Sequence, residues 1–85
     1  MAYTVELSRP AQRDFARLEP DIARRLRRAL ETLGHDSRPH GSLKMAGERN
    51  RFRIRVGAYR VIYQIDDPTH RIVVLRIQHR REVYR

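Results

Sequence analysis

The sequence predicts an α+β fold in the order βααβββ: an antiparallel sheet with an N-terminal helical hairpin packed on one face. Three observations point there. Apolar and polar residues alternate with period two in residues 3–7, 51–63 and 71–78. Between the first two of these stretches, residues 9–33 carry an apolar stripe at helical spacing, interrupted at Glu19-Pro20. Inside the second stretch, Gly57-Ala58 separates two alternating runs, and glycine first in a two-residue break suits a type II′ hairpin turn.

At 85 residues the chain is expected to form one domain, residues 1–85. Tyr3-Thr4-Val5-Glu6-Leu7 reads as the first strand, with Tyr3, Val5 and Leu7 inward. Ser8 offers an N-cap, and Pro10 fits the first turn of a helix over about residues 9–18 with Ala11, Phe15 and Leu18 apolar. Pro20 starts a second helix, whose stripe is Ile22, Leu26, Ala29, Leu30 and Leu33; Gly34 is placed as its C-terminal stop. Residues 35–41 are loop. Residues 42–46 fit neither period.

The hairpin has a register that can be worked out from the turn. A two-residue loop pairs Val56 with Tyr59, Ile54 with Val61 and Phe52 with Tyr63, all on one apolar face. The same register sets Arg55 opposite Arg60, with Arg53 one step along. Like charges directly opposed across strands are destabilising, which suggests that something negative binds there. The last strand is Arg71-Ile72-Val73-Val74-Leu75-Arg76-Ile77-Gln78. With Val73, Leu75 and Ile77 inward, the preceding loop needs an odd number of residues. Three would place Arg76 opposite Arg60, and five would place Gln78 there. Either way Arg76 joins the arginine face, and Ile62, Ile72 and Val74 share its parity. The plain alternative is a solvated outer sheet face.

Charge sharpens that choice. The net charge is +9. Residues 1–42 carry eight basic and six acidic side chains, and residues 43–85 carry eleven and four, so +7 of the excess lies in the hairpin half. Localised basicity is the electrostatic footprint of a nucleic-acid binder. Eighteen of the nineteen basic residues are Arg, suited to bidentate phosphate contacts. There is no cysteine, hence no disulfide framework or thiolate metal site, and the four histidines show no metal-ligand spacing. No apolar run approaches membrane-spanning length and no signal-peptide layout is present, which points to a cytoplasmic protein.

With these residues in view, the whole chain resembles the RelE/ParE toxins of type II toxin–antitoxin systems. The resemblance is carried by Phe52 to Asp67, with its Gly-x-Tyr-Arg-x-x-Tyr core, by Val74-Leu75-Arg76-Ile77-Gln78-His79-Arg80, and by Glu82-Val83-Tyr84. The His-Arg-Arg and terminal Val-Tyr pattern matches the RelE branch. That resemblance implies a ribosome-dependent endoribonuclease that cuts A-site mRNA by metal-free attack of a ribose 2′-OH, without a cofactor. It also implies a cognate antitoxin as partner; the charge of this chain favours an acidic, partly disordered one. Carried over position by position, Arg53 and Arg55 match the basic residues of the second strand. Arg60 matches the phosphate-stabilising arginine, Arg80 a basic residue near the leaving group, and Tyr84 the near-terminal tyrosine. Some members have lysines where this chain has Arg53 and Arg55. An arginine, with a pKa above about 12, is a poor base. The proton carrier is therefore expected to be Tyr84 or His79. Lys44, Arg51, Arg76 and Arg81 are expected to contact RNA. Two alternatives remain open: a ParE-like toxin of DNA gyrase, and a catalytically degenerate module that binds RNA or antitoxin.

Overall fold

The computed structural model describes residues 2–47 and 49–83. The elements are β1 (Thr4–Leu7), α1 (Arg9–Ala16), α2 (Pro20–His35), β2 (Leu43–Lys44), β3 (Arg51–Val56), β4 (Tyr59–Asp66), β5 (Arg71–His79) and α3 (Arg80–Val83). The βααβββ order holds, with a two-residue strand added from the ambiguous stretch and a short helix added in the tail. The strands form one sheet in the order β1-β5-β4-β3-β2. The sheet is mixed rather than wholly antiparallel, because β1 runs parallel to β5, with Val5 beside Ile72 and Leu7 beside Val74. The two helices that follow β1 return the chain to the far side of the sheet, which makes the parallel pairing possible.

The β3–β4 hairpin has the expected register throughout: Val56 faces Tyr59, Arg55 faces Arg60, Ile54 faces Val61 and Phe52 faces Tyr63. Gly57 has φ +61° and Ala58 does not share the positive sign, the pattern of a II′ turn. The inward row of Phe52, Ile54, Val61, Tyr63 and Ile65 is buried against Leu26, Leu30 and Leu33 of α2. Burying each such side chain contributes about 1.5–3 kcal/mol, so this face is the main source of stability.

The β4–β5 connection departs from the parity expected. Its loop is the four residues 67–70, and Asp66 pairs with Arg71. The register then shifts: Tyr63 pairs with Val74 but Ile62 pairs with Arg76, leaving Leu75 as the extra residue of a bulge. Below the bulge Ile72 and Val74 are the buried residues, and above it Ile77 is. Ile72 and Val74 thus belong to the core and not to the arginine face. Gln78 lies opposite Arg60.

The bulge is held by α1. The N-cap Ser8 accepts from the Ala11 N–H and donates its hydroxyl to the Leu75 carbonyl at 2.9 Å. Asp14, in the last turn of the same helix, accepts from the Ile77 N–H at 2.9 Å and from Arg76 Nε at 2.8 Å. Thus α1 occupies the edge of β5 that β1 leaves uncovered. Gly34 lies inside α2, not after it, and Asp36 is the C-cap. A Cβ on Gly34 would stand 3.2 Å from the Tyr3 carbonyl oxygen. Glycine lets β1 run against the helix, where the Tyr3 N–H donates to the Gly34 carbonyl at 2.7 Å. Among the described residues no helix is long and apolar enough to cross a membrane.

A candidate nucleic-acid cleft

The outer row of the hairpin is built by strand parity. If Phe52, Ile54, Val61 and Tyr63 face the core, Arg51, Arg53, Arg55, Arg60 and Ile62 face away. The start of α3 then lies beside the hairpin turn. The Arg80 N–H donates to the Ala58 carbonyl at 2.8 Å, which fixes the start of α3 beside the turn. As a result Arg55, Arg60, Arg80 and Arg81 line one cleft of about 360 Å³. Four guanidiniums from three elements converge there.

Four acidic residues are engaged elsewhere. Asp67 pairs with Arg38 at 2.9 Å, Glu6 with Arg71 at 2.6 Å, Asp14 with Arg76 and Asp21 with Arg24. Among the described residues no carboxylate forms an ion pair with Arg53, Arg55, Arg60, Arg80 or Arg81. Like charges gathered this way, with no carboxylate partner among the described residues, repel one another, and an anion entering the cleft would relieve that repulsion.

The remaining expected residues fall in different places. Arg53 sits beside Leu43 and Ile62 on the outer face, one step from the cleft. Arg51 follows it, opposite Gln64. Lys44 pairs with Phe52 and so takes the other parity; it lies with Met45 and Arg49 away from the arginines of the cleft. Arg76 shares a row with Ile62 but its guanidinium turns to Asp14, whose carboxylate side chain is only 10% exposed. Burial pushes the Asp14 carboxyl up. Hydrogen bonds from Arg76 and from the Ile77 N–H outweigh that, and its pKa lies below the usual carboxylate value.

His79 pairs with Tyr59, on the face opposite Arg60, and its ring meets Tyr59 edge-on at 5.2 Å between centroids. Its Nδ1 accepts from the Arg81 N–H at 3.2 Å. Of the two expected proton carriers, His79 therefore sits across the sheet from the cleft, and Tyr84 lies outside the described residues. Sequence reasoning read Ser8 only as the N-cap, which it is, and passed over its bond to Leu75 and the role of Asp14; together they hold β5 at the bulge. Their signal is weak, since a polar residue at either end of a helix is ordinary.

Comparison with known proteins settles the family. The family described as "ParE toxin of type II toxin-antitoxin system, parDE" matches residues 5–84. The chain belongs to the RelE/ParE toxin superfamily. Within it, similar proteins include toxins of the RelE type. Toxin RelG of Mycobacterium tuberculosis is 35% identical over all of this chain and 99% of its own length. The RelBE2 toxin–antitoxin complex of M. tuberculosis superposes with a TM-score of 0.82 at 31% identity, over 93% of this chain and 99% of that one. The archaeal RelE–RelB complex of Pyrococcus horikoshii does so with a TM-score of 0.80 at 25% identity, over 94% and 97%. The chain is thus a type II toxin on the RelE side of the superfamily, with the fold that the resemblance implied.

Proposed function

We propose that this toxin is a cytoplasmic, ribosome-dependent endoribonuclease that cuts mRNA in the A site and is neutralised by a cognate antitoxin. The observation that carries the proposal is the cleft in which Arg55, Arg60, Arg80 and Arg81 converge with no carboxylate partner among the described residues. Family membership supports it, as does the capture of RelE-type relatives in complex with RelB.

The chemistry is the metal-free transesterification that the family resemblance implies, and the cleft would serve its charged transition state. The ribose 2′-oxygen loses its proton to a base and bonds to the adjacent phosphorus. The P–O5′ bond breaks, and the leaving oxygen takes a proton to give a 5′-hydroxyl beside a 2′,3′-cyclic phosphate. Negative charge builds on the phosphorane, where guanidiniums fixed before the reaction are worth most. Removing one such donor costs about 10²- to 10³-fold in rate. Arg60, half-buried and central, has that role, with Arg55 beside it and Arg80 toward the leaving oxygen. Arg53, one step along, binds the neighbouring phosphate. None of these guanidiniums gives up a proton near neutral pH. The base comes from Tyr84 or from the ribosome, which gives a physical reason for ribosome dependence. His79, on the opposite face, supports the tail by packing on Tyr59.

The test is primer extension on mRNA under translation, with and without the toxin. New stops within codons that vanish with Arg60→Ala support the proposal. Intact transcripts with damaged DNA would favour action on gyrase, which the ParE description of the matching family keeps in view. RNA binding without translation arrest would identify a degenerate toxin.

A further inference from the structure

Two guanidiniums meet at Gly57, and only one belongs to the hairpin. Arg55 Nε donates to the Gly57 carbonyl at 3.4 Å. On the other side of the residue, Arg25 of α2 lies against the turn. A Cβ built on Gly57 would stand 3.0 Å from Arg25 Nη1 and 3.4 Å from its Cζ. The glycine thus serves the turn through its φ of +61° and also leaves the space that the Arg25 side chain fills. The carboxylate one helical turn before Arg25 is Asp21, and it is engaged by Arg24. Among the described residues Arg25 forms no ion pair with a carboxylate.

We infer that Arg25 is an RNA-binding residue, holding a phosphate that flanks the scissile one as the strand leaves the cleft around the hairpin tip. The inference rests on the proposed RNA-cutting role of the cleft. Its ground is placement: an exposed, planar cation lies against the shared turn, beside a cleft lined by four arginines. The basic surface therefore continues from the outer sheet face, past the tip, onto α2.

The test uses the full-length toxin and a short single-stranded RNA carrying 2′-O-methyl groups, which binds but is not cleaved. Affinity is read by fluorescence anisotropy across a salt series for wild type, Arg25→Ala, Arg25→Lys and Arg60→Ala. Loss of one phosphate contact lowers the slope of log K against log salt by about 0.7 on a single strand. Arg25→Ala is expected to show that loss, with an affinity about fivefold weaker at low salt. Arg25→Lys is expected to keep the slope near wild type. If Arg25→Ala keeps both slope and affinity while Arg60→Ala loses them, the inference is wrong and the cleft assignment stands. A lower melting temperature with an unchanged slope would also overturn it, leaving Arg25 a structural support of the turn. If neither variant changes RNA binding, the cleft and its flank do not grip single-stranded RNA away from the ribosome, and the inference is overturned, while cleavage on the ribosome is decided by the primer-extension test.

Discussion

Replacing Arg60 with Gln should make the fold more stable while removing its activity. In the structure Arg60 stands directly opposite Arg55, with Arg80 and Arg81 in the same cleft and no carboxylate paired to any of them among the described residues. An opposed like-charge pair costs roughly 0.2–1 kcal/mol relative to a neutral one. Two further cations nearby bring the expected relief to about 1 kcal/mol, and glutamine keeps part of the aliphatic stem that packs on the sheet. For a domain of this size 1 kcal/mol corresponds to about 4–8 °C in melting temperature. Screening gives the effect a signature. The Debye length falls from about 10 Å at 0.1 M salt to about 3 Å at 1 M, so the gain should be present in dilute buffer and largely gone in concentrated NaCl. Inorganic phosphate adds a second arm. A ligand at a hundred times its dissociation constant stabilises the folded state by about 2.7 kcal/mol, and this response should be strong in wild type and flat in Arg60→Gln. Circular-dichroism melts at two salt concentrations, with and without phosphate, measure both. An Arg60→Gln protein that melts lower than wild type in dilute buffer, or responds to phosphate as wild type does, would refute the reading of the cleft as a strained anion site.

The bulge gives two related expectations. Asp14→Ala leaves the Ile77 N–H without its acceptor and Arg76 without its partner, and should cost about 2 kcal/mol; Asp14→Asn keeps one acceptor and should cost about half as much in chemical denaturation. The folded pKa values of Asp14 and Asp67 are both lowered, so their contribution is complete above the unfolded value and is lost as pH falls through the folded ones. Stability should therefore decline below about pH 4, and Asp14→Asn should flatten that decline. Gly34→Val should push β1 off α2, because the added Cβ meets the Tyr3 carbonyl; a loss of about 1–3 kcal/mol in urea melts is expected, and an unchanged midpoint would contradict the close approach.

The hairpin was legible in the sequence because its register depends only on local facts. Gly57-Ala58 fixes the turn, period two fixes the faces, and every cross-strand pair from Phe52 to Tyr63 follows. The last strand was misread because a bulge is invisible to strict alternation. Val73-Val74-Leu75 is apolar throughout, so either parity fits, and the choice is made by Ser8 and Asp14 on a helix more than sixty residues away. The same distance hid the engagement of Arg76. The parallel pairing of β1 with β5 is likewise non-local, and no short-range pattern announces it. Gly34 shows the converse limit: a glycine at a helix end suggests a stop, but here a neighbouring strand required it. In the site, the expected meeting of Arg55 and Arg60 is present, and α3 brings Arg80 and Arg81 to them. His79 falls on the other face because strand parity persists to the last residue of β5.

The most direct measurement is the single-turnover rate of mRNA cleavage in a purified ribosome complex with a defined A-site codon, comparing wild type with Arg60→Ala at saturating toxin. If fixed guanidiniums stabilise the phosphorane, the variant should bind the ribosome nearly as wild type does and cleave about 10²- to 10³-fold more slowly. A folded Arg60→Ala toxin that cleaves at the wild-type rate would contradict the assignment of the cleft as the place where the phosphate reacts.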